Sequence, residues 1–216
     1  MKRAKLQWLA IAIAVLLVFS GLIVWFLEAS SSADKIRVAC VGDSITAGSK
    51  YPYELGVKLG ANYTVRNYGV GLAAVSLESE KPYMNQTVFS DAKGFLPNIV
   101  IITLGTNDAK LAYQQYLDNF TDDYKKLITE FQSLSSKPKI WIVVPPPIFN
   151  DGFGPNGTLL VQDIIPLIKQ VANETGLPLI DFYSDIVSHP EYFSDGVHPN
   201  IQGSKIIATK IYQAIT

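Results

Sequence analysis

The 216-residue chain has a single cysteine, Cys40. No disulfide can form within it, so its stability has to come from packing. Cys40 stands in the apolar run at residues 38–41 and reads as a small core residue, not a reactive thiol. Basic charge is scarce as well: 18 Lys+Arg against 19 Asp+Glu leave a formal net charge of −1. Beyond the amino terminus no Lys/Arg cluster exists to neutralise phosphates, so the composition points away from nucleic acid. Histidine is limited to His189 and His198, which leaves two candidates for any general base. Internal repeats and low-complexity tracts are absent too.

One long apolar run is present. Lys2, Arg3 and Lys5 precede residues 6–27, whose only strongly polar member is Gln7. A helix of about 20 residues rises about 30 Å, enough for a bilayer core, whereas a cleaved signal peptide usually has an apolar region of about 7–15 residues. The expectation is an uncleaved signal anchor at 6–27. Residues 1–5 are then cytoplasmic, 28–35 form a linker after Glu28, and the domain at 36–216 lies outside the cell or in a lumen. Cleavage near Ser31-Ser32-Ala33 is the alternative, and it exports the domain equally. Five of the ten asparagines open an Asn-x-Thr sequon (Asn62, Asn85, Asn119, Asn156 and Asn173), where chance would give about 0.5. N-glycans at these positions are expected on an exported chain.

From residue 36 onward, β-branched apolar runs at 36–41, 63–67, 99–104, 140–144 and 177–181 alternate with stretches at 52–59, 82–95, 112–134, 159–174 and 201–214 that suit helices. In 112–134, Tyr116, Phe120, Tyr124, Leu127, Ile128 and Phe131 recur every three or four residues, as on one helix face. The alternation predicts an α/β domain with a parallel sheet covered by helices. Near-continuous Ile/Val in the first, third and fourth runs implies strands buried on both faces. Pro145-Pro146-Pro147 ends the fourth, and 150–157 then reads as a long flexible loop.

Four short motifs fall after predicted strands or in the last loop: Gly42-Asp43-Ser44, Asn67-Tyr68-Gly69-Val70-Gly71, Gly105-Thr106-Asn107-Asp108 and Asp195-Gly196-Val197-His198. Acyl transfer needs a hydroxyl, a base to take its proton, an acceptor that fixes the base's tautomer, and donors aimed at the developing oxyanion. Ser44, His198, Asp195, Asn107 and turn N–H groups can fill these roles. Each also has a plainer reading. Ser44 could be an N-cap, Asn107 and Asp108 could open the next segment, and the glycines could serve only a tight turn. Asp43 reads mainly as a residue shaping the turn before Ser44. His198 is preferred to His189 because Asp195-x-x-His198 lies on a glycine-containing loop before the last helix, while His189 in Ser-His-Pro-Glu reads as surface.

Taken together, "GDS" followed by "ITAG", then "GTND", then "DGVHPN" resemble the SGNH hydrolases, a subgroup of the GDSL esterases and lipases, in order and from Ile36 to the end. The resemblance implies a three-layer α/β/α flavodoxin-like fold with a central parallel five-stranded sheet, here preceded by the membrane segment. It implies Ser44 as nucleophile, His198 as base and Asp195 as its orienting acid. The oxyanion hole would comprise the Ser44 and Gly71 N–H groups and the Asn107 amide; no metal or organic cofactor is implied. One block departs from the pattern. Its second glycine would fall at Leu72 but stands at Gly71, which makes the Leu72 N–H the other candidate donor. The stretches "YPYELGVKLGANYTVRNYGVG" and "WIVVPPPIF" are similar to members acting on acetylated sugars. The expectation is a serine esterase for short acyl, chiefly O-acetyl, esters on carbohydrate. A lysophospholipase or short-chain lipase is the alternative, favoured by the membrane tether and by Phe149 and Phe153. A catalytically silent carbohydrate-binding surface protein is the third reading, favoured by the altered glycine block.

Overall fold

The structure, a computed structural model, describes residues 35–216. The expected membrane span at 6–27 and most of the linker lie outside the described residues. Among those that are described, no helix is long and apolar enough to cross a membrane.

Five strands form one parallel sheet: β1 (Ile36–Gly42), β2 (Tyr63–Gly69), β3 (Ile99–Thr103), β4 (Lys139–Val144) and β5 (Leu179–Asp181), in the order β2-β1-β3-β4-β5. All four pairings are parallel, as the expected flavodoxin-like order requires. The chain returns across β1 after β2, so the order reverses between β1 and β3. The carboxyl ends of those two strands form the crevice where open α/β sheets place ligands.

Side-chain alternation sorts the core into two layers. Ala39, Val41, Val100, Ile102, Ile142 and Val144 face α3 (Thr87–Gly94), α4 (Phe120–Gln132) and α5 (Ile165–Thr175). Val38, Cys40, Ile99, Ile101, Val143 and Ile180 face α2 (Tyr51–Leu59) and α7 (Ile201–Ile215). Because both faces are covered, the strands read as unbroken apolar runs. Cys40 is fully buried, and loss of hydration pushes its thiol up to about 12, so it is an inert core residue as expected.

Two helical stretches differ from simple expectation. Residues Leu111–Asn119 wind as a 3-10 helix, and the α-helix begins only at Phe120. Tyr113 and Tyr116 pack inward at three-residue spacing, which 3-10 winding lines up on one side. Before α5 the chain makes a helical turn, Gly157–Leu159, and then a π-helical stretch, Leu160–Ile164, in which the Ile165 N–H bonds the Leu160 carbonyl. Pro166 follows, has no N–H to donate and crowds the carbonyl four residues back; the wider winding accommodates it.

The turn after β2 carries the sequence irregularity noted above. The Ala73 N–H bonds the Val70 carbonyl at 3.1 Å, closing a four-residue turn with Gly71 and Leu72 at its centre. Leu72 takes φ +67°, while Gly71 is not among the positive-φ residues. The left-handed place usually given to glycine therefore falls on Leu72, one residue after the glycine the sequence supplies. A left-handed non-glycine residue is strained by about 1 kcal/mol. Leu72 is exposed and has little packing to lose. Leu72→Gly is expected to raise unfolding stability by about 0.5 kcal/mol, part of the relief being returned through glycine's freer unfolded state. The midpoint of urea unfolding measures it, and a lower midpoint would refute the strain.

Candidate active site

The site is built where β1 ends. After Gly42, a five-residue helix, α1 (Ser44–Gly48), begins immediately, and its N-cap is Asp43, whose Oδ1 accepts the Ile45 N–H at 2.8 Å. The capping role weighed for Ser44 thus belongs to its neighbour, which leaves the Ser44 hydroxyl free. The N–H groups of a helix's first turn have no intrahelical acceptors, and that of Ser44 is one of these.

Glycines let α1 lie directly on the sheet. Gly42 and Gly69 are register partners in β1 and β2. A Cβ on Gly42 would overlap the Thr46 hydroxyl, and one on Gly69 would lie 2.7 Å from the Ala47 Cα. Asn67 completes the seat: its Nδ2 donates to the Thr46 carbonyl at 2.8 Å and its Oδ1 accepts the Gly69 N–H at 2.8 Å. The Thr46 hydroxyl in turn bonds the buried Tyr51 hydroxyl at 2.8 Å.

The other half of the site comes from the carboxyl-terminal loop. His198 Nε2 lies 2.9 Å from Ser44 Oγ, and His198 Nδ1 lies 2.7 Å from Asp195 Oδ2. The second carboxylate oxygen of Asp195 accepts the Val197 and His198 N–H groups at 2.9 and 2.7 Å. Partial burial works to raise the Asp195 pKa, but these N–H groups and the imidazole outweigh it and hold the carboxyl below the usual range. An ionised Asp195 can only accept, which fixes the proton on Nδ1 and leaves Nε2 to accept from the Ser44 hydroxyl. The loop is closed by the Ser194 N–H to His198 carbonyl bond at 3.0 Å and a bridge from Phe193 to Pro199. Asn200 then caps α7, its Oδ1 accepting the Gln202 and Gly203 N–H groups. His189 lies apart on the surface, bonded to Glu191 at 2.8 Å and stacked on Tyr192.

The loop after β3 carries Asn107. It is buried, and its Nδ2 donates to the Ala73 carbonyl at 3.0 Å, which links it to the Gly71–Leu72 turn. Neither the Gly71 nor the Leu72 N–H has an acceptor among the described residues. Gly71 was the expected turn donor; the left-handed conformation of its block belongs to Leu72. Asp108 does not cap a helix. Its buried carboxylate accepts the Val75 N–H at 3.0 Å and the Ser76 N–H at 3.0 Å, while Asp123 accepts the Leu77 N–H at 2.9 Å. Two acids from the other sheet-covering segments thus pin the loop that follows the turn. Their N–H partners lie 33 and 46 residues away, so no local pattern could reveal them.

Residues 150–157, expected to be a flexible loop, form a bonded strap. The Phe149 N–H bonds the Gly196 carbonyl at 2.7 Å, and Asn150 Nδ2 bonds the Asp195 carbonyl at 3.1 Å. At the other end, the Asn156 N–H bonds the Ala109 carbonyl at 2.8 Å. Inside the strap, Asp151 accepts from Asn156 Nδ2 and from the Gly157 N–H, each at 2.8 Å. Gly196, at φ +88°, permits the contact, since a Cβ there would lie 2.6 Å from the Asn150 Cβ.

A serine, an imidazole and a carboxylate are thus bonded in series at the carboxyl edge of a parallel 2-1-3-4-5 sheet. Comparison with known proteins identifies the family. The chain belongs to the GDSL-like lipase/acylhydrolase family, whose model matches residues 40–206. An acetylxylan esterase of Xylanibacter ruminicola is 33% identical over 208 residues, covering 84% of this chain and 43% of that protein. The GDSL esterase/lipase CPRD49 of Arabidopsis thaliana is 26% identical over 148 residues, covering 59% of this chain and 58% of the relative. The chain thus spans about half the length of these relatives. Among solved structures, the acetyl xylan esterase AlAXEase superposes with a TM-score of 0.67 at 20% identity, covering 84% of this chain and 100% of that one. The carbohydrate acetylesterase Est24 of Sinorhizobium meliloti gives 0.62 at 20% identity, with 84% and 100% covered. At these identities the structures establish the shared fold.

Directly behind Ser44, burial pushes the fully enclosed Asp43 carboxyl up to about 7, against the Ile45 N–H that favours its charged form. Its Oδ2 and the Thr106 hydroxyl are both buried and neither completes a well-formed hydrogen bond, although the nearby hydroxyl still favours the charged form. The folded chain therefore keeps a proton that the unfolded chain releases above an ordinary value of 3.8. Stability falls as pH rises through that window, and the full penalty is present above about pH 7. Burial also pushes Asp108 up to about 6, a contribution of the same sign over a narrower range. Asp43→Asn keeps an oxygen for the Ile45 N–H and offers Thr106 a donor. The variant is expected to be more stable than the parent at pH 8, by about 1–3 kcal/mol, with the difference shrinking toward pH 4. Urea unfolding at several pH values measures it; a gap independent of pH would refute the buried titration.

Proposed function

We propose that the chain is a serine esterase that removes acetyl groups from carbohydrate. The observation that carries the reading is the continuous bonded chain from Ser44 Oγ through His198 to Asp195, at 2.9 and 2.7 Å.

In this reading His198 Nε2 takes the Ser44 proton as Oγ attacks the ester carbonyl, and Asp195 stabilises the imidazolium. The oxyanion that forms is met by the Asn107 amide, the Ser44 N–H and an N–H of the Gly71–Leu72 turn. His198 then returns its proton to the departing alkoxide oxygen, leaving acetyl on Ser44. Water follows the same route in the second half, with His198 again as base.

The acetyl preference is supported by relatives described as acetylxylan esterase and carbohydrate acetylesterase. A lipase-like reading keeps one observation in its favour: Leu72, Leu111 and Phe153 are large apolar side chains exposed on the segments that follow β2, β3 and β4. Export is supported by the apolar segment at 6–27 and by the Asn-x-Thr sequons. Asn62, Asn85, Asn119 and Asn173 are exposed, whereas the Asn156 amide is engaged by Asp151.

The full-length protein is expected to release acetate from acetylated xylo-oligosaccharides and to turn over butyryl and longer esters at least ten times more slowly. Ser44→Ala should reduce kcat by about 10³-fold or more, and Asn107→Ala by about 10²-fold. Acetate release measured enzymatically tests all three; Ser44→Ala at parental rate, or rates that rise with acyl length, would overturn the assignment. Expression in a eukaryotic secretory host followed by peptide-N-glycosidase treatment is expected to lower the apparent mass. An unchanged mass would remove the glycan support for export.

A further inference from the structure

We propose that Phe153 is the platform on which the sugar ring of the substrate stacks, making it a specificity-determining residue for a pyranose ring. The proposal rests on the acetyl-carbohydrate reading given above and adds where the ring lies.

Proton return fixes the side of the site that the sugar must occupy. In an acetylated sugar the departing oxygen belongs to the carbohydrate, and it has to come within about 3 Å of His198 Nε2 to be protonated. The ring bearing that oxygen is therefore held next to the imidazole. Phe153 is the aromatic residue found there. Its ring centroid lies 6.2 Å from that of His198, with the planes at 80°. Phe149, nearby in sequence, is already packed edge-on against Phe193 at 5.1 Å.

Phe153 is half exposed, at 51%, although it sits on a segment anchored at both ends. The strap is bonded to the Asp195–Gly196 backbone on one side and to Ala109 on the other, and Asp151 and Asn150 close it internally. An apolar ring presented to solvent on a bonded strap has already lost the freedom that binding would otherwise remove. Its neighbours in the chain are polar: Asn150 and Asp151 precede it, and the Lys110 stem passes Gly154, which follows it. An exposed aromatic face beside the imidazole matches a pyranose, whose C–H face is apolar and whose rim of hydroxyls can stay in water.

The test compares two esters of the same acid in the full-length protein: an acetylated xylo-oligosaccharide, and ethyl acetate, which has no ring. Phe153→Ala is expected to raise KM for the sugar ester about tenfold relative to that for ethyl acetate, with the kcat ratio of the two substrates unmoved. Phe153→Trp should restore the parental KM ratio. Equal losses on both esters, concentrated in kcat, would make Phe153 a packing support for His198 and overturn the platform. No change on either ester would overturn it as well. If the parent cleaves ethyl acetate but not the sugar ester, the carbohydrate reading fails and takes the platform with it; failure confined to the Phe153 variants leaves that reading intact.

Discussion

The 2.9 Å contact between Ser44 and His198 joins residues 154 positions apart, and most of the local structure can be understood as what keeps that distance short. A hydrogen bond of this kind weakens steeply with misalignment. Both partners therefore need bases that do not drift. Ser44 has the inner strand β1 beneath it and a helix pressed onto Gly69. His198 has no strand of its own, and its position comes from loop bonds: the Asp195 carboxylate gathering two N–H groups, the Phe193–Pro199 bridge, and the Asn200 cap that starts α7. The Lys50 N–H bonds the Ser204 hydroxyl at 3.1 Å, which ties the segment after α1 to the first turn of α7. Nucleophile and base are thus linked by a route that does not pass through their own hydrogen bond.

Buried carboxylates recur around this edge, and they serve the backbone. Asp43 caps α1, Asp108 gathers the Val75 and Ser76 N–H groups, and Asp123 holds the Leu77 N–H. A loop passing close to a sheet edge has N–H groups that water cannot reach, and a carboxylate satisfies two at once. The penalty is desolvation of the acid, visible in the upward shifts at Asp43 and Asp108. Such a scaffold is rigid because removing one acid would strand several buried donors together. With no disulfide available, this polar pinning and the two apolar layers are what order the edge.

Strands β1, β3 and β4 were legible because burial on both faces writes a near-continuous Ile/Val run, whereas the edge strands β2 and β5 showed only as shorter apolar stretches. Their spatial order was not written in any one of them; it came with the resemblance. The Asp195-x-x-His198 pair was legible because its geometry is local, and the link to Ser44 only because a second motif announced it. Asn150, Asp151 and Asn156 illustrate what could not be read. Asparagine, aspartate and glycine mark a turn whether they bond water or one another, so a bonded strap and a loose loop share a composition. At 111–119 the apolar spacing of three to four residues fits either winding, and packing chose the tighter one. Leu72 is the opposite case: the sequence departs from its block by one position, yet the backbone keeps the left-handed turn and places it on leucine.

That substitution shows how the two sides of Ser44 differ in what they tolerate. In the proposed oxyanion hole the groups that would matter are N–H donors and an amide, whose positions are set by backbone conformation and by bonds such as Asn107 to Ala73. A side chain can change there if the fold supplies the energy to hold its φ. Asp108 and Asp123 supply it by fixing the chain just beyond the turn. On the base side the constraint is steric: Gly196 admits the strap only because it lacks a Cβ. Leucine at a left-handed position is a cost the edge can absorb, whereas a methyl group at Gly196 would have to displace the segment that carries Phe153. Variation in the first region would change the strain of the hole, and variation in the second would change what approaches His198. In the proposed reaction the first region would stabilise charge and the second would meet the alcohol.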